Sequence, residues 1–114
     1  MITLSWAYEK RPTENGTRVL VDRLWPRGIK KEKLNINRWL KDIAPSNELR
    51  KWFAHDPLKW EEFKVRYFSE LDANPNTREF LELCKEGDLV LVFSSKEQVY
   101  NNAVALKEYA RLHT

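Results

Sequence analysis

The residues best suited to chemistry in this sequence fall in two places. One is the run VLVDRLWPRG, residues 19–28, where Val19-Leu20-Val21 gives way to Asp22 and Arg23 and then to Trp25, Arg27 and Gly28. Arg23 and Arg27 can offer planar guanidinium forks to a carboxylate or phosphate, and Asp22 can orient one of them or take a proton. The other place is Ser94, Ser95, Asn101 and Asn102 near the carboxyl end of the chain, where backbone amides at a helix start and serine hydroxyls suit an anion. Two further residues join them. Arg50 can reach the same region from a helix beginning near Ser46, and His55, just before Asp56-Pro57, can serve as base, acid or donor in its neutral form.

Each candidate also has a purely structural reading. Asp22 and an arginine can form a buried ion pair that pins the loop, with Trp25 packed in the core. Arg50 can lay its stem over Trp52. Ser95 with Gln98 spells the S-x-x-Q capping box, which explains that serine without a ligand, and Asn102 borders an apolar stripe where it needs a hydrogen-bond partner. His55 can simply complete a corner.

The elements that would position these residues read as alternating strands and helices. Ile2 to Trp6 suits a first strand, and Pro12-Thr13-Glu14-Asn15-Gly16 is turn chemistry. Arg18 to Asp22 and Asp88 to Phe93 carry continuous apolar runs, the pattern of strands buried on both faces of a parallel sheet. Asn35 or Asn37 is expected to cap a helix containing Trp39, Leu40 and Ile43, and Ser46 a second with Leu49, Trp52 and Phe53. Asp56-Pro57 opens a third with Trp60, Phe63, Tyr67 and Leu71 in register, and Asn74-Pro75 a fourth carrying Phe80, Leu81 and Cys84 before Gly87. Ser95 opens the last, with Val99, Ala103, Leu106 and Ala110 as its stripe. The expected fold is α/β: a small, mainly parallel sheet of three or four strands covered by about five helices in three layers, as one domain over residues 1–114. In it Asp22-Arg23 and Ser94-Ser95 both follow the carboxyl ends of strands, where ligands of parallel sheets gather.

Composition narrows the class. The chain has 114 residues, 42% hydrophobic and 32% charged, which is ordinary for a globular domain and unlike a disordered one. No apolar run approaches the roughly 18 residues of a membrane span, and the start MITLSWAYEKR lacks the parts of a leader, so the expected location is cytoplasmic. The single cysteine, Cys84, excludes an internal disulfide and fits a small core residue, while two distant histidines give no metal site; no cofactor is expected. Residues 9–33 hold eight Lys and Arg against four Asp and Glu, so the +3 net charge concentrates around the first motif. Trp39, Trp52 and Trp60 read as core, while Trp6 and Trp25 can wall a pocket for a planar ligand.

Four blocks in order, VLVDRLWPRG, APSNELRKWF, HDPLKWEEFKVRYFSEL and YNNAVALKEY, resemble the YeaO-like family, a bacterial domain of unknown function (number 488). The resemblance runs from about Arg18 to Tyr109 and implies a small stand-alone α/β domain with no established substrate. Family members often carry a His where Tyr100 stands and a Tyr-Ala pair where Phe93-Ser94 stands, so a role carried by that His does not transfer. Two functions are consistent with the residues. One is a pocket for a small anionic ligand, with Asp22 and His55 as its candidate acid–base groups if it is an enzyme. The other is a nucleic-acid or protein interaction module using the basic edge of residues 23–33, with Lys30, Lys31 and Lys33 at its centre.

Overall fold

The computed structural model describes residues 1–9 and 15–114; of the turn expected at Pro12 to Gly16, residues 12–14 lie outside them. Strands β1 (Ile2–Trp6), β2 (Thr17–Leu20), β3 (Arg38–Trp39) and β4 (Leu89–Phe93) form one sheet in the order β1-β4-β2-β3, and every pairing is parallel. Helices α1 (Lys31–Leu34), α2 (Asn47–Phe53), α3 (Trp60–Ala73), α4 (Thr77–Glu86) and α5 (Asn102–His113) complete the α/β class expected from the sequence. β4 is the strand read as central: it lies between β1 and β2, and all five of its residues are buried.

Because strand side chains alternate, β4 feeds two cores. Leu89, Leu91 and Phe93 join Val19 and Val21 and the apolar faces of α2, α3, α4 and α5, including Leu49, Phe53, Phe63, Tyr67, Phe80 and Leu106. Val90 and Val92 point the other way, with Leu20, onto Leu34 of α1 and the partly buried Trp25, Ile29 and Ile36. One face is thus covered by four helices and the other by a single helical turn with the chain around it.

The start signals of α2 and α3 act as their residue types require. Ser46 Oγ accepts from Leu49 N (3.2 Å), and Asp56 accepts from Leu58 N (3.0 Å) ahead of a 3-10 turn, Pro57–Lys59, that runs into α3. Two other starts differ from expectation. The segment assigned to a helix capped by Asn35 or Asn37 is instead a short strand and a 3-10 turn, Lys41–Ile43. Asn35 sits in the left-handed region (φ 51°) and ends α1, while Asn37 takes Arg18 N on its side chain (2.8 Å) and returns its own N–H to Arg18 O (2.8 Å). The open edge of β2 offers backbone partners that outcompete a helix here. Trp39, assigned to the core, is consequently 38% exposed on that edge.

The capping box at Ser95 and Gln98 does not open α5 either. Asn101 does so, accepting from Val104 N (2.9 Å) and donating to Glu97 O (2.7 Å). Between them Glu97 folds the chain on itself by accepting from Val99 N and Tyr100 N, two bonds that hold its carboxyl below the usual carboxylate range. Val99 therefore leaves the apolar stripe and is exposed, while Ala103, Leu106 and Ala110 are buried as expected.

Tyr109 gives the fold a measurable alkaline limit. Burial, then its 2.7 Å hydrogen bond to the Asp72 carboxylate, push its phenol up to about 12 from the usual 10.0. Since the folded value is the higher one, its contribution to stability is complete below pH 10 and is lost as pH rises through about 12. We expect a fall in the urea midpoint between those pH values that Tyr109→Phe makes shallower, the remainder coming from the buried Tyr67 phenol, which burial also pushes up.

Candidate functional site

Beyond the carboxyl ends of β2 and β4 the surface opens into a cleft of about 610 Å³. Several segments of the chain line it. The chain after β2 brings Asp22, Arg23, Leu24, Trp25 and Arg27; α2 and the residue pair before it bring Ala44, Pro45, Asn47, Arg50 and Lys51; the chain after β4 brings Ser94 and Ser95; His55 and Asn102 close it. Nine of the ten residues singled out from the sequence meet here. Asn101 does not, because its amide is buried and spent on capping α5.

Asp22 joins these segments. Its Oδ2 accepts from both Ser94 N (2.8 Å) and Ser94 Oγ (2.7 Å), its Oδ1 from Asn102 Nδ2 (3.1 Å), and its carbonyl from Trp39 Nε1 (2.7 Å). Asn102 also donates to Val21 O (3.1 Å). The carboxylate therefore ties the end of β2 to the end of β4 and the start of α5. The alternative of an Asp22–Arg ion pair is overturned: among the described residues Asp22 makes none. Arg23 turns instead to neutral acceptors, donating from Nη2 to Ala44 O (3.1 Å) and Pro45 O (3.3 Å), and its Nε is buried with no partner.

The helix that carries the next cations is fixed at its first residues. Ser46 donates from N and Oγ to the Glu70 carboxylate (2.9 and 2.6 Å), locking α2 to α3. Asn47, Arg50 and Lys51 then share one face of α2 by their spacing of three and four residues, a signal the sequence carries for Asn47 and Lys51 as well as for Arg50. Arg50 does not cover Trp52; Lys59 Nζ and the Arg66 guanidinium do, at 5.0 and 4.3 Å from its ring centre. Lys30, Lys31 and Lys33 are not part of the cleft, since α1 packs on the opposite face of the sheet from α2.

His55 is held in one orientation. Its Nδ1 lies 3.0 Å from the Tyr100 carbonyl oxygen, a bond that takes a proton on Nδ1, and its Nε2 is in long contact with Ser95 Oγ (3.5 Å). Ala54 and His55 are both in the left-handed region (φ 46° and 55°), a conformation that costs non-glycine residues on the order of 1 kcal/mol each and here turns the ring toward the cleft.

Tyr8 was not visible as a site residue. It follows β1, and its hydroxyl donates to Arg27 O (2.8 Å), fastening the Trp25–Gly28 segment over the strand ends; Gly28 allows that turn by its φ of 80°. The inner floor is Phe53 and Phe63, which also belong to the core. Among the described residues the lining thus holds four permanent cations, Arg23, Arg27, Arg50 and Lys51, against one carboxylate already accepting three hydrogen bonds. Such a field concentrates anions.

A family model described as the Inactive DUF488-N3 subclade matches residues 1–113. The uncharacterized protein YeaO of Escherichia coli (strain K12) is 37% identical over 105 residues, 91% of this chain and 91% of that protein. The uncharacterized protein Rv3073c of Mycobacterium tuberculosis (H37Rv) is 35% identical over 107 residues, 94% of this chain and 91% of that one. No solved structure gives a significant match. Among the described residues, no helix is long and apolar enough to cross a membrane.

Proposed function

For a chain that belongs to the YeaO-like DUF488 family, we propose a recognition role: the cleft at the carboxyl ends of β2 and β4 binds a small anionic ligand. The observation that carries this reading is the uncompensated charge. Among the described residues Arg23 is fixed by two carbonyl groups and no carboxylate, and Arg27, Arg50 and Lys51 line the same space. Asp22, the acid–base candidate, has both carboxylate oxygens committed to the clamp, which favours binding over turnover. The description of the matching subclade as inactive points the same way.

Titration calorimetry with inorganic phosphate at low ionic strength tests the reading. Wild type should bind with an affinity that falls as salt rises, and Arg50→Ala combined with Lys51→Ala should weaken binding about tenfold or more, the loss of one or two charge-assisted contacts. Both side chains are exposed, so the unfolding free energy from urea titration should stay within about 0.5 kcal/mol of wild type. Equal phosphate affinity in wild type and variant would remove the proposal.

A further inference from the structure

We infer that the ligand is a phosphate monoester of a flat ring system, an inference that rests on the anion-binding reading and adds what lies beyond the anion. The cleft, at about 610 Å³, is of the size that holds a drug-sized molecule and much larger than a bare oxyanion needs. Its charge and its rings come from different parts of the chain. Arg23, bound to the Ala44 and Pro45 carbonyls, stands with Arg50 and Lys51 on the side of α2. Tyr8 and Trp25 come from the chain beyond β1 and β2.

The donors of those two rings are already spent. Tyr8 Oη donates to Arg27 O (2.8 Å) and Trp25 Nε1 to Ile29 O (2.7 Å), so ring carbon is most of what they have left to offer the cleft. Each ring is also braced by another. Trp39 meets Trp25 edge-on with centroids 5.5 Å apart, and Trp6 lies 5.4 Å from Tyr8 while its own Nε1 donates to Ser94 O (3.3 Å). Aromatic faces fixed before the ligand arrives lose little freedom on binding and stack well on another flat ring. The cations in the lining, Arg23, Arg27, Arg50 and Lys51, suit a dianion better than a single charge, and the Ser95 hydroxyl and His55 belong to the same lining.

Calorimetry with four probes decides the matter: inorganic phosphate, n-hexyl phosphate, 1-naphthyl phosphate and 1-naphthoate. The expected result is that 1-naphthyl phosphate binds at least tenfold more tightly than each of the others. Tyr8→Leu should lose most of that gain while keeping the affinity for inorganic phosphate, and Tyr8→Phe should restore it. Naphthyl phosphate no tighter than inorganic phosphate, or hexyl phosphate its equal, overturns the flat ring and leaves anion binding standing. Naphthoate binding as tightly overturns the dianion. If none of the phosphates binds, the anion-binding reading fails and this one with it.

Discussion

Asp22→Ala should lower the stability of the domain by about 3 kcal/mol, read as a drop in the urea midpoint at neutral pH. The substitution strands three donors, Ser94 N, Ser94 Oγ and Asn102 Nδ2, that converge on one carboxylate. Hydrogen bonds to a charged acceptor contribute about 1.5–3 kcal/mol each. Water entering from the cleft recovers part of that loss, which is why the expected total is below the sum. Asp22→Asn should cost nearly as much, because its amide group would present a donor to donors. A midpoint unchanged in Asp22→Ala would mean that the clamp is dispensable and the carboxylate free for acid–base chemistry.

A second large effect is expected at the floor of the cleft. Phe63 is 2% exposed, stacks on Phe53 with centroids 4.1 Å apart, and touches the rings of Trp60 and Tyr67. Phe63→Ala should cost about 3–4 kcal/mol, since the neighbouring rings are too rigid to fill the space. That is a large share of the 5–15 kcal/mol typical of a domain. Equilibrium urea unfolding checks it, with an unchanged dependence on denaturant showing that the two end states are the same. A loss under 1 kcal/mol would show that the rings around Phe53 collapse freely and do not shape the cleft.

What the residues revealed beforehand, and what they hid, follows from range. Leu89 to Phe93 announced a central strand because five successive apolar residues can be satisfied only by burial on both faces. Ser46 and Asp56 announced helices because their side chains close bonds with backbone two or three residues away. Arg38 and Trp39 gave no such sign: their strand exists because β2, some twenty residues earlier, has an unpaired edge. The start of α5 was misplaced for a related reason. Ser95 and Asn101 are both competent caps, and the Glu97 turn, which spends Ser95 on Glu97 N (3.0 Å), decides between them. The cleft was legible where strand ends mark it, at Asp22, Arg23, Ser94 and Ser95. Tyr8 was not, because nothing local connects it to Arg27 O.

The order β1-β4-β2-β3 also bears on how the chain can be made. The strand that holds the middle of the sheet is the last of the four to be synthesised, and β1 meets it in a register that pairs Ile2 with Leu89. During translation β1 has no strand to pair with, and β2 has only the two residues of β3. The core face of the early strands stays open until β4 emerges. Assembly is therefore a late, long-range event, of the kind that folds slowly and exposes apolar segments to other chains while it waits. A ribosome stalled before Leu89 would carry helices without a sheet, and a chain cut there would have no route to the cleft at all.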